Sequence, residues 1–381
     1  MNPTCVVSVP DTDMKTPISV LMIDGQAPYA LLTARCLTQA SGVRLHVLSL
    51  TDRALVRYAR RIASFERMRV LPDDAARLEM LGEVVRRKGI DVLLGSSEDA
   101  IGFISSNRCE LRGICATVAT PGIDEMRIAR DKWLFSCHMA KIPLPHPDSR
   151  LVTDDPEFQT AVEALTPPLV LKPVEGSGGE GMVRFESAEL LFAYLERIGL
   201  PGKRFVAQSV INGRDGGCNV LCRDGEILVS TVQKSVVPNR EPFGPPSSID
   251  MVRDEEVVST VARLMRSLNW SGVANVDFRL NEENHAVTLL ELNPRYWGSV
   301  LASLFAGVNF PYLACLEGMG LPLPEPEFRS VRFTWHKSRV IAGLLAAEGR
   351  QSVEQRGSIL RYVVPDPLPE FIEFGRKIFR R

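Results

Sequence analysis

The sequence predicts an α/β protein whose N-terminal part is a parallel, Rossmann-like sheet. Four short apolar stretches have strand character, and helix-like stretches separate them: "ISVLMID" at 18–24, "RLHVLSL" at 44–50, "RMRVLP" at 67–72 and "DVLLGSS" at 91–97. Strands that alternate with helices favour a parallel sheet, because a long crossover must join parallel neighbours. We expect this sheet over residues 17–120, behind an N-terminal tail of residues 1–16.

The first turn of this region reads "DGQAPY" and lacks the G-x-G-x-x-G pattern of dinucleotide-binding folds. The absence of that pattern counts against a hydride-transfer enzyme. The helix-like stretches that separate the strands include "YALLTARCLTQA" and "AARLEMLGEVVRRKG".

A second α/β region, richer in strands, follows a proline-rich linker, "KIPLPHPDS" at 141–149. Its strand candidates begin at Leu169 and end in "GVANVDFRL" at 272–280 and "VTLLELNPRYWGS" at 287–299. The chain closes with an amphipathic helix candidate, "PEFIEFGRKIFRR" at 369–381, which we expect to cover a core face of its own chain.

Length and composition indicate a globular protein. The chain has 381 residues, enough for two or three domains, with 45% hydrophobic and 24% charged residues. Lys and Arg number 45 against 46 Asp and Glu, so the net charge of −1 does not indicate a nucleic acid or an anionic membrane as partner. We expect a small neutral or zwitterionic substrate, a cytoplasmic location, and reduced, mostly buried cysteines.

Two neighbouring strand candidates place polar groups on one face. Side chains alternate along a strand, so Glu291, Asn293 and Arg295 share one face, and Leu290 and Leu292 share the other. On the preceding strand, Asn275, Asp277 and Arg279 share a face in the same way.

The register depends on the turn between the two strands. If "NEENH" at 281–285 is a five-residue turn, Asn275 faces Glu291, and Asp277 lies one diagonal step away, at roughly 7–8 Å between Cα atoms. An even-numbered turn would place Asp277 and Glu291 on opposite faces.

These residue types suit a hard divalent cation. Mg²⁺ prefers oxygen ligands, which Asp277, Glu291 and Asn293 supply, and Arg295 could hold a phosphate or a carboxylate in a bidentate fork. The alternative is a solvated face with alternating charges. The following "PRYWGS" is an unusual ending for a solvent-facing strand.

The stretch "LVLKPVEGSGGEGMVRF" at 169–185 joins Lys172 to a glycine-rich loop. Such a loop allows backbone N–H groups to approach phosphates closely, and Ser177 adds a hydroxyl. The alternatives are an edge-strand lysine and a flexible turn. The order of the chain, with the loop about 120 residues before the carboxylate hairpin, favours the phosphate-binding interpretation.

Five segments, in this order, resemble the ATP-grasp superfamily over roughly residues 17–330. They are "RDKWLFSCHMAKIPLPHP", "VLKPVEGSGGEGM", "QSVINGRD", "VDFRL" and "ELNPRYWGS". Two of them depart from the family's usual pattern, the first with Ala140-Lys141 where Gly is usual, and "QSVINGRD" with Gln208 where an acid is common and Asp215 where Glu is common. The resemblance implies ATP and Mg²⁺ or Mn²⁺ as cofactors.

The resemblance also implies a role for individual residues. It assigns ATP phosphate to Lys132, Lys172, Ser177, Gly178 and Gly179. In the hinge containing Gln208, it assigns adenine to the Val210 backbone and the ribose hydroxyls to Asp215. It makes Asp277, Glu291 and Asn293 the metal ligands and Arg295 an anion-holding residue, which with Lys172 forms the expected catalytic pair.

The "NPRYWGS" form resembles a carboxylate–amine ligase subgroup. It implies that ATP phosphorylates a carboxylate and that an amine attacks the acyl phosphate, with release of ADP and phosphate. The alternatives are carboxylation, direct phosphoryl transfer, or an inactive ATP-binding regulatory protein. The substrates would be a small carboxylate and a small amine, and the resemblance leaves their identity open.

The stretch "QKSVVPNREPFGPPSS" at 233–248 lies between hinge and metal strands, so Arg240 is a candidate for holding a substrate carboxylate; the alternative is an exposed loop. The implied architecture is a two-lobed ATP-grasp domain over residues 121–330, and a homodimer is compatible with it. We expect a lid lobe at about 166–235, a metal lobe at about 250–330, and a C-terminal segment, 331–381, packed on the core.

Overall fold

A computed structural model describes residues 17–155, 157–176, 178–200, 202–237, 243–335 and 357–378. Three β-sheets organise the chain, with five, four and six strands within these residues. The N-terminal sheet consists of β1 (Ile18–Met22), β2 (Val43–Ser49), β3 (Ile62–Arg67), β4 (Val92–Leu94) and β5 (Ala116–Thr117).

The N-terminal sheet is parallel throughout, with the order β3-β2-β1-β4-β5. Its strands are almost continuously apolar where both faces are covered by helices; all five residues of β1 are buried. This sheet confirms the predicted α/β fold class. The third strand, however, is Ile62–Arg67 and not the predicted "RMRVLP" at 67–72. That stretch runs over the surface after the strand has ended, and Val70 within it is 83% exposed.

The helices of this region begin and end at recognisable signals. Asp73 caps the helix at 74–88 by accepting from the Ala76 N–H, and Gly89 ends it in a left-handed conformation (φ 62°). The helices are α1 (Ala30–Leu37), α2 (Asp74–Lys88), α3 (Glu98–Ser106), α4 (Arg108–Arg112), α5 (Ile123–Arg130) and α6 (Lys132–Met139), with a 3₁₀ turn at Leu55–Tyr58.

The second sheet is antiparallel and small, with the order β6-β9-β7-β8. Its strands are β6 (Ser149–Val152), β7 (Leu169–Pro173), β8 (Val183–Phe185) and β9 (Phe205–Ser209), and its helices are α7 (Phe158–Glu163) and α8 (Ala188–Ile198). The glycine-rich loop joins β7 to β8.

The third sheet is antiparallel, with the order β14-β13-β10-β11-β12-β15. Its strands are β10 (Arg214–Arg223), β11 (Glu226–Val237), β12 (Ser248–Val252), β13 (Gly272–Leu280), β14 (Val287–Asn293) and β15 (Val331–Thr334). The helices that accompany it are α9 (Glu255–Ser267), α10 (Val300–Phe305), α11 (Phe310–Gly318), α12 (Leu360–Val363) and α13 (Leu368–Ile378).

This strand order corrects the predicted division into lobes. The strands at 214–223 and 226–237, which we expected in the lid lobe, belong to the large sheet, because β10 pairs with β13 along nine residues. The small sheet correspondingly begins at Ser149 rather than near residue 166. The domain boundaries at residues 17, 121 and 331 stay predictions.

One face of the large sheet is apolar, and the opposite face, here called the polar face, carries Asn275 and Asp277 beside buried apolar side chains such as Leu221 and Val273. Trp270 and Phe278 are fully buried on the apolar face, under α9, and burial of such a side chain stabilises the fold by about 1.5–3 kcal/mol. A separate apolar core joins the N-terminal sheet to α10, α11 and β15. The polar face of the large sheet is thereby held at a fixed distance from the N-terminal sheet.

The C-terminal segment only partly behaves as predicted. Ile359, Tyr362 and Val363 lie in the shared core. The terminal helix α13 instead attaches through polar contacts, including an ion pair of 2.8 Å between buried Arg35 and Glu370, and leaves Phe371 68% exposed. Its apolar stripe therefore does not cover the core. Within the described residues, no helix combines the length and apolarity that crossing a membrane requires.

Candidate active site

Two lysines approach the glycine-rich loop from different elements. Lys172 is on β7, an inner strand of the small sheet, and is only 6% exposed. Burial lowers the pKa of Lys172, repulsion from Lys132 lowers it further, and the nearby Glu291 and Asp277 oppose that shift. The edge-strand alternative is therefore wrong, and Lys172 is a buried amine next to two carboxylates.

Lys132, the first residue of α6, connects the loop to the large sheet. Its Nζ donates to the Gly176 carbonyl oxygen over 2.6 Å and lies 4.0 Å from Glu291 Oε2. The capping residue Asp131 fixes the start of this helix by accepting from the Trp133 and Leu134 N–H groups. A phosphate chain between the two lysines would be next to the carboxylates.

The loop requires glycine at two positions for different reasons. Gly178 and Gly179 both have left-handed backbones, with φ of 71° and 79°. A Cβ atom at Gly179 would lie 2.6 Å from the Phe243 carbonyl oxygen, whereas a Cβ at Gly178 would meet nothing within 4 Å. Gly179 therefore allows close approach of the loop to the segment that follows β11.

This difference yields a matched pair of variants. We expect Gly179→Val to lower turnover much more than Gly178→Val, because both impose backbone strain but only the first displaces the loop from Phe243. Rates of ADP release and far-UV circular dichroism of both variants measure this. Equal turnover in the two variants would show that the Gly179 contact is not needed.

The carboxylate hairpin has a different register from the predicted one. Asn281 N donates to the Ala286 carbonyl, so the turn has an even number of residues, and the five-residue turn is wrong. A β-bulge at Leu290 then shifts the pairing, so that Asp277 faces Glu291 and Asn275 faces Asn293. The two acids thus share a face, as predicted, but as a direct pair.

The bulge also changes the apolar face of β14. Leu289 and Leu292 lie in the core, whereas Leu290, which we expected beside Leu292, is the extra residue and is only partly buried. Leu290 is the inserted residue, so the alternation of side chains along β14 reverses there. Glu291 and Asn293 therefore lie on the polar face, opposite Asp277 and Asn275.

Asp277, Glu291 and Asn293 form a compact polar cluster. Asn293 Nδ2 donates to Asp277 Oδ2 over 3.0 Å and to Glu291 Oε1 over 3.2 Å. Burial raises the pKa of the Asp277 carboxyl well above its ordinary value, and repulsion from Glu291 adds to this shift. Two adjacent acids in a buried site are the chemistry that a divalent cation would neutralise, so the donor set fits Mg²⁺ or Mn²⁺.

Asn293 itself presents an N–H, not Oδ1, to the carboxylates, so a role as metal ligand would require its amide to turn. The ligand role of Asn293 stays a prediction. No group of three or more His, Cys, Asp or Glu side chains with metal-binding geometry occurs among the described residues.

Arg295 joins the hairpin to the N-terminal region. It is 8% exposed, and its Nη2 donates to Asn293 Oδ1 over 2.8 Å. Its Nε donates to Glu98 Oε1 over 3.1 Å, and its guanidinium carbon lies 4.8 Å from the centre of the Tyr29 ring. This geometry fixes a planar cation beside the two acids.

Glu98 and Tyr29 are site residues that sequence reasoning missed. Glu98 follows the capping residue Ser97 in the first turn of α3, where an acid is expected for the helix dipole alone. Tyr29 belongs to the first turn after β1 and carries no pattern of its own. The sequence offered one signal for both residues. They follow strands of the parallel N-terminal sheet, and parallel strands end at a common edge, which here faces the large sheet.

The three residues predicted to form the nucleotide-binding hinge each contact other groups of the protein. Gln208 is 3% exposed and donates through Nε2 to Ser149, while its Oε1 is buried with no partner among the described residues. The Val210 N–H donates to the Pro168 carbonyl, so adenine would have to meet the Val210 carbonyl. Asp215 is paired with Arg279 at 3.0 Å on the adjacent strand.

Ser177 and Arg240 lie outside the described residues. Among the other predicted site residues, Lys132, Lys172, Asp277, Glu291, Asn293 and Arg295 converge on one cleft. The hinge residues Gln208 and Val210 lie on or beside β9, next to the strand of Lys172 in the small sheet.

Comparison with known families locates this cleft in a defined domain. Residues 129–299 match the family model described as "ATP-grasp domain". The chain contains an ATP-grasp domain. The matched segment begins just before Lys132 and ends at Ser299, so it includes the glycine-rich loop and the complete carboxylate hairpin.

Curated relatives of this chain include large enzymes. Over 271 residues it is 26% identical to the carbamoyl phosphate synthase large chain of Rubrobacter xylanophilus, which is 65% of this chain and 25% of that protein. The corresponding large chain of Methanothermobacter thermautotrophicus is 22% identical over 264 residues. The chain thus spans about a quarter of the length of these relatives.

Solved structures share the fold over most of the chain. N5-carboxyaminoimidazole synthetase from Staphylococcus aureus, complexed with ADP, has a TM-score of 0.65 at 18% identity and covers 84% of this chain and 83% of its own. L-amino acid ligase from Bacillus licheniformis has a TM-score of 0.60 at 19% identity, covering 83% and 78%. These likenesses extend the common fold to the N-terminal sheet.

Proposed function

We propose that this ATP-grasp protein is an ATP-dependent ligase that activates a carboxylate as an acyl phosphate and joins it to an amine. The observation that carries the proposal is the convergence of Lys132, Lys172 and Arg295 on the adjacent acids Asp277 and Glu291. The similar proteins are named as synthases, synthetases and a ligase, which supports the reaction class.

The proposed reaction has two steps. A carboxylate oxygen of the first substrate attacks the terminal phosphorus of ATP, the bond from that phosphorus to the bridging oxygen breaks, and ADP leaves. The nitrogen of the amine then attacks the acyl carbon, the bond to the phosphate oxygen breaks, and phosphate leaves as the amine loses a proton. The products are an amide, ADP and phosphate.

The chain's residues would act through charge and exclusion of water. Lys172 and Lys132 would compensate the phosphate charges on the small-sheet side, and Arg295 would hold the phosphoryl oxygens on the other side. The glycine-rich loop would cover the acyl phosphate, which water would otherwise hydrolyse. A divalent cation held by Asp277 and Glu291, with Asn293 beside them, would neutralise further charge on the phosphates.

The proposal is tested by an ADP-release screen over pairs of carboxylic acids and amines, with bicarbonate and amino acids in the panel. We expect ADP, and we expect oxygen-18 in the carboxylate to appear in the released phosphate. AMP as the nucleotide product, with label in AMP, would refute acyl-phosphate chemistry. Binding of ATP without turnover by any pair would favour an ATP-binding regulatory protein.

A further inference from the structure

A row of polar side chains crosses the large sheet beside the two acids. Asn293 on β14 pairs in register with Asn275 on β13, Asn275 pairs with Asn219 on β10, and Asn219 pairs with Thr231 on β11. The row ends at Ser303 on α10. Four adjacent strands thus place a hydrogen-bonding side chain at the same level of one face.

The row is continuous and buried. Asn293 Nδ2 lies 3.3 Å from Asn275 Oδ1 and shares its two hydrogens between this oxygen and the two acids. Asn275 Nδ2 donates to Asn219 Oδ1 over 3.0 Å, and Asn219 Nδ2 donates to Thr231 Oγ1 over 3.1 Å. The Thr231 and Ser303 hydroxyls are 3.1 Å apart. All five residues are at most 7% exposed, and Asn219 and Ser303 are fully buried.

Arg295 fixes the direction of these hydrogen bonds. A guanidinium can only donate, so the atom of Asn293 that faces Arg295 must be its oxygen, and its Nδ2 must face Asn275 and the acids. The Asn275 oxygen then accepts and its nitrogen donates, and the same holds for Asn219. The direction set at Arg295 therefore extends through the row to Thr231.

Burying such groups in a core is unfavourable unless every one of them is paired, and apolar residues of similar size would avoid that cost. Gly217, the neighbour of Asp277 on β10, leaves the space that the row needs. A Cβ atom there would lie 3.0 Å from Asn275 Nδ2 and 2.9 Å from Gln233 Nε2. The sheet thus has space for this amide arrangement.

We propose that Asn275, Asn219, Thr231 and Ser303 form a positioning relay that holds the Asn293 amide against the Asp277 and Glu291 carboxylates. The inference rests on the proposed function, because it assigns the relay to the cation and nucleotide site. The relay residues touch neither substrate nor cation. With its N–H groups held toward the acids, Asn293 acts as an outer-shell partner of the two proposed ligands, and the relay sets its orientation.

The test is titration of Mn²⁺ into the full chain with ADP present, followed by electron paramagnetic resonance. Thr231→Val keeps the side-chain shape but removes the hydroxyl that accepts from Asn219, and Asn219→Leu removes the central amide. We expect each to weaken Mn²⁺ binding by about 10-fold or more, the usual effect of losing an outer-shell partner. Thr231→Ser retains the hydroxyl and should restore the affinity.

Asn309→Leu is the matched control, because Asn309 is also a buried amide, 5% exposed, but caps α11 away from the cleft. It should lower the melting temperature and leave Mn²⁺ affinity unchanged. Thr231→Val and Asn219→Leu with wild-type Mn²⁺ affinity would overturn the relay even if both are less stable. If the wild-type chain itself bound no Mn²⁺ with ADP, the proposed function would fail instead.

Discussion

Replacing Arg295 with alanine is expected to lower turnover by about 10²–10³-fold, the usual effect of losing one donor that stabilises transition-state charge. Arg295 is buried and held by Glu98, Asn293 and the Tyr29 ring, so its position is fixed before substrate binds. Arg295→Lys keeps the charge and loses the planar fork, so it should recover only part of the rate.

The measurement is kcat and KM for the acid and amine found in the ADP-release screen. The main effect should be on kcat, since the arginine is proposed to act where charge concentrates during the reaction. Arg130→Ala is the control, because Arg130 also contacts Glu98, at 3.5 Å, but is far more exposed. Near-normal turnover of Arg295→Ala would sink the proposed mechanism while leaving the fold intact.

Replacing Asp277 with asparagine should change stability and activity in opposite directions. Asparagine keeps an oxygen that can accept from Asn293 and removes one of two adjacent acidic groups, so the chain without cation should melt roughly 1–3 °C higher. Turnover should fall by at least about 100-fold, because charge stabilisation by a bound cation is worth several kcal/mol. In the wild type, ATP with Mg²⁺ should raise the melting temperature, and this increase should be lost in the variant.

The stability difference should also depend on pH. Folding raises the pKa of Asp277 above its unfolded value of about 3.9. Its charge therefore destabilises the fold at neutral pH, and this effect disappears when acid protonates the carboxyl in both states. Thermal melts of variant and wild type should differ most near pH 7 and converge below about pH 4, where the carboxyl is protonated in both states. The exposed Asp154→Asn serves as control, and a constant difference across this range would contradict the assignment.

Local sequence patterns account for much of the fold. Alternation of apolar strands and helices predicted the parallel N-terminal sheet, because both faces of such a sheet must be covered. The helix-like stretch "AARLEMLGEVVRRKG" at 75–89 agrees with the helix Asp74–Lys88 to within one residue at each end. The strand at Ile62–Arg67 was missed in favour of "RMRVLP", because exposure of Val70 depends on neighbours that the local pattern does not contain.

The carboxylate hairpin shows where local reasoning stops. Alternation correctly placed Asp277 and Glu291 on one face, but the assumed turn was wrong, and a bulge at Leu290 restored the shared face. A bulge depends on how the whole strand fits its partner and the core under it. Its position cannot be inferred from the hydrophobic pattern of β14 alone.

By itself, the sequence determined which chemical groups are present and which strand faces carry them: Lys172 in an apolar strand candidate, the glycine-rich loop, and the face shared by Glu291 and Asn293. Only the tertiary structure decided that Arg295 is held by Glu98, nearly 200 residues earlier in the chain, and that an amide row extends from Asn293 to Ser303. The physical reason is that periodicity fixes the direction of a side chain within its own element. Its partners depend on how separate sheets pack, and packing is a property of the entire chain.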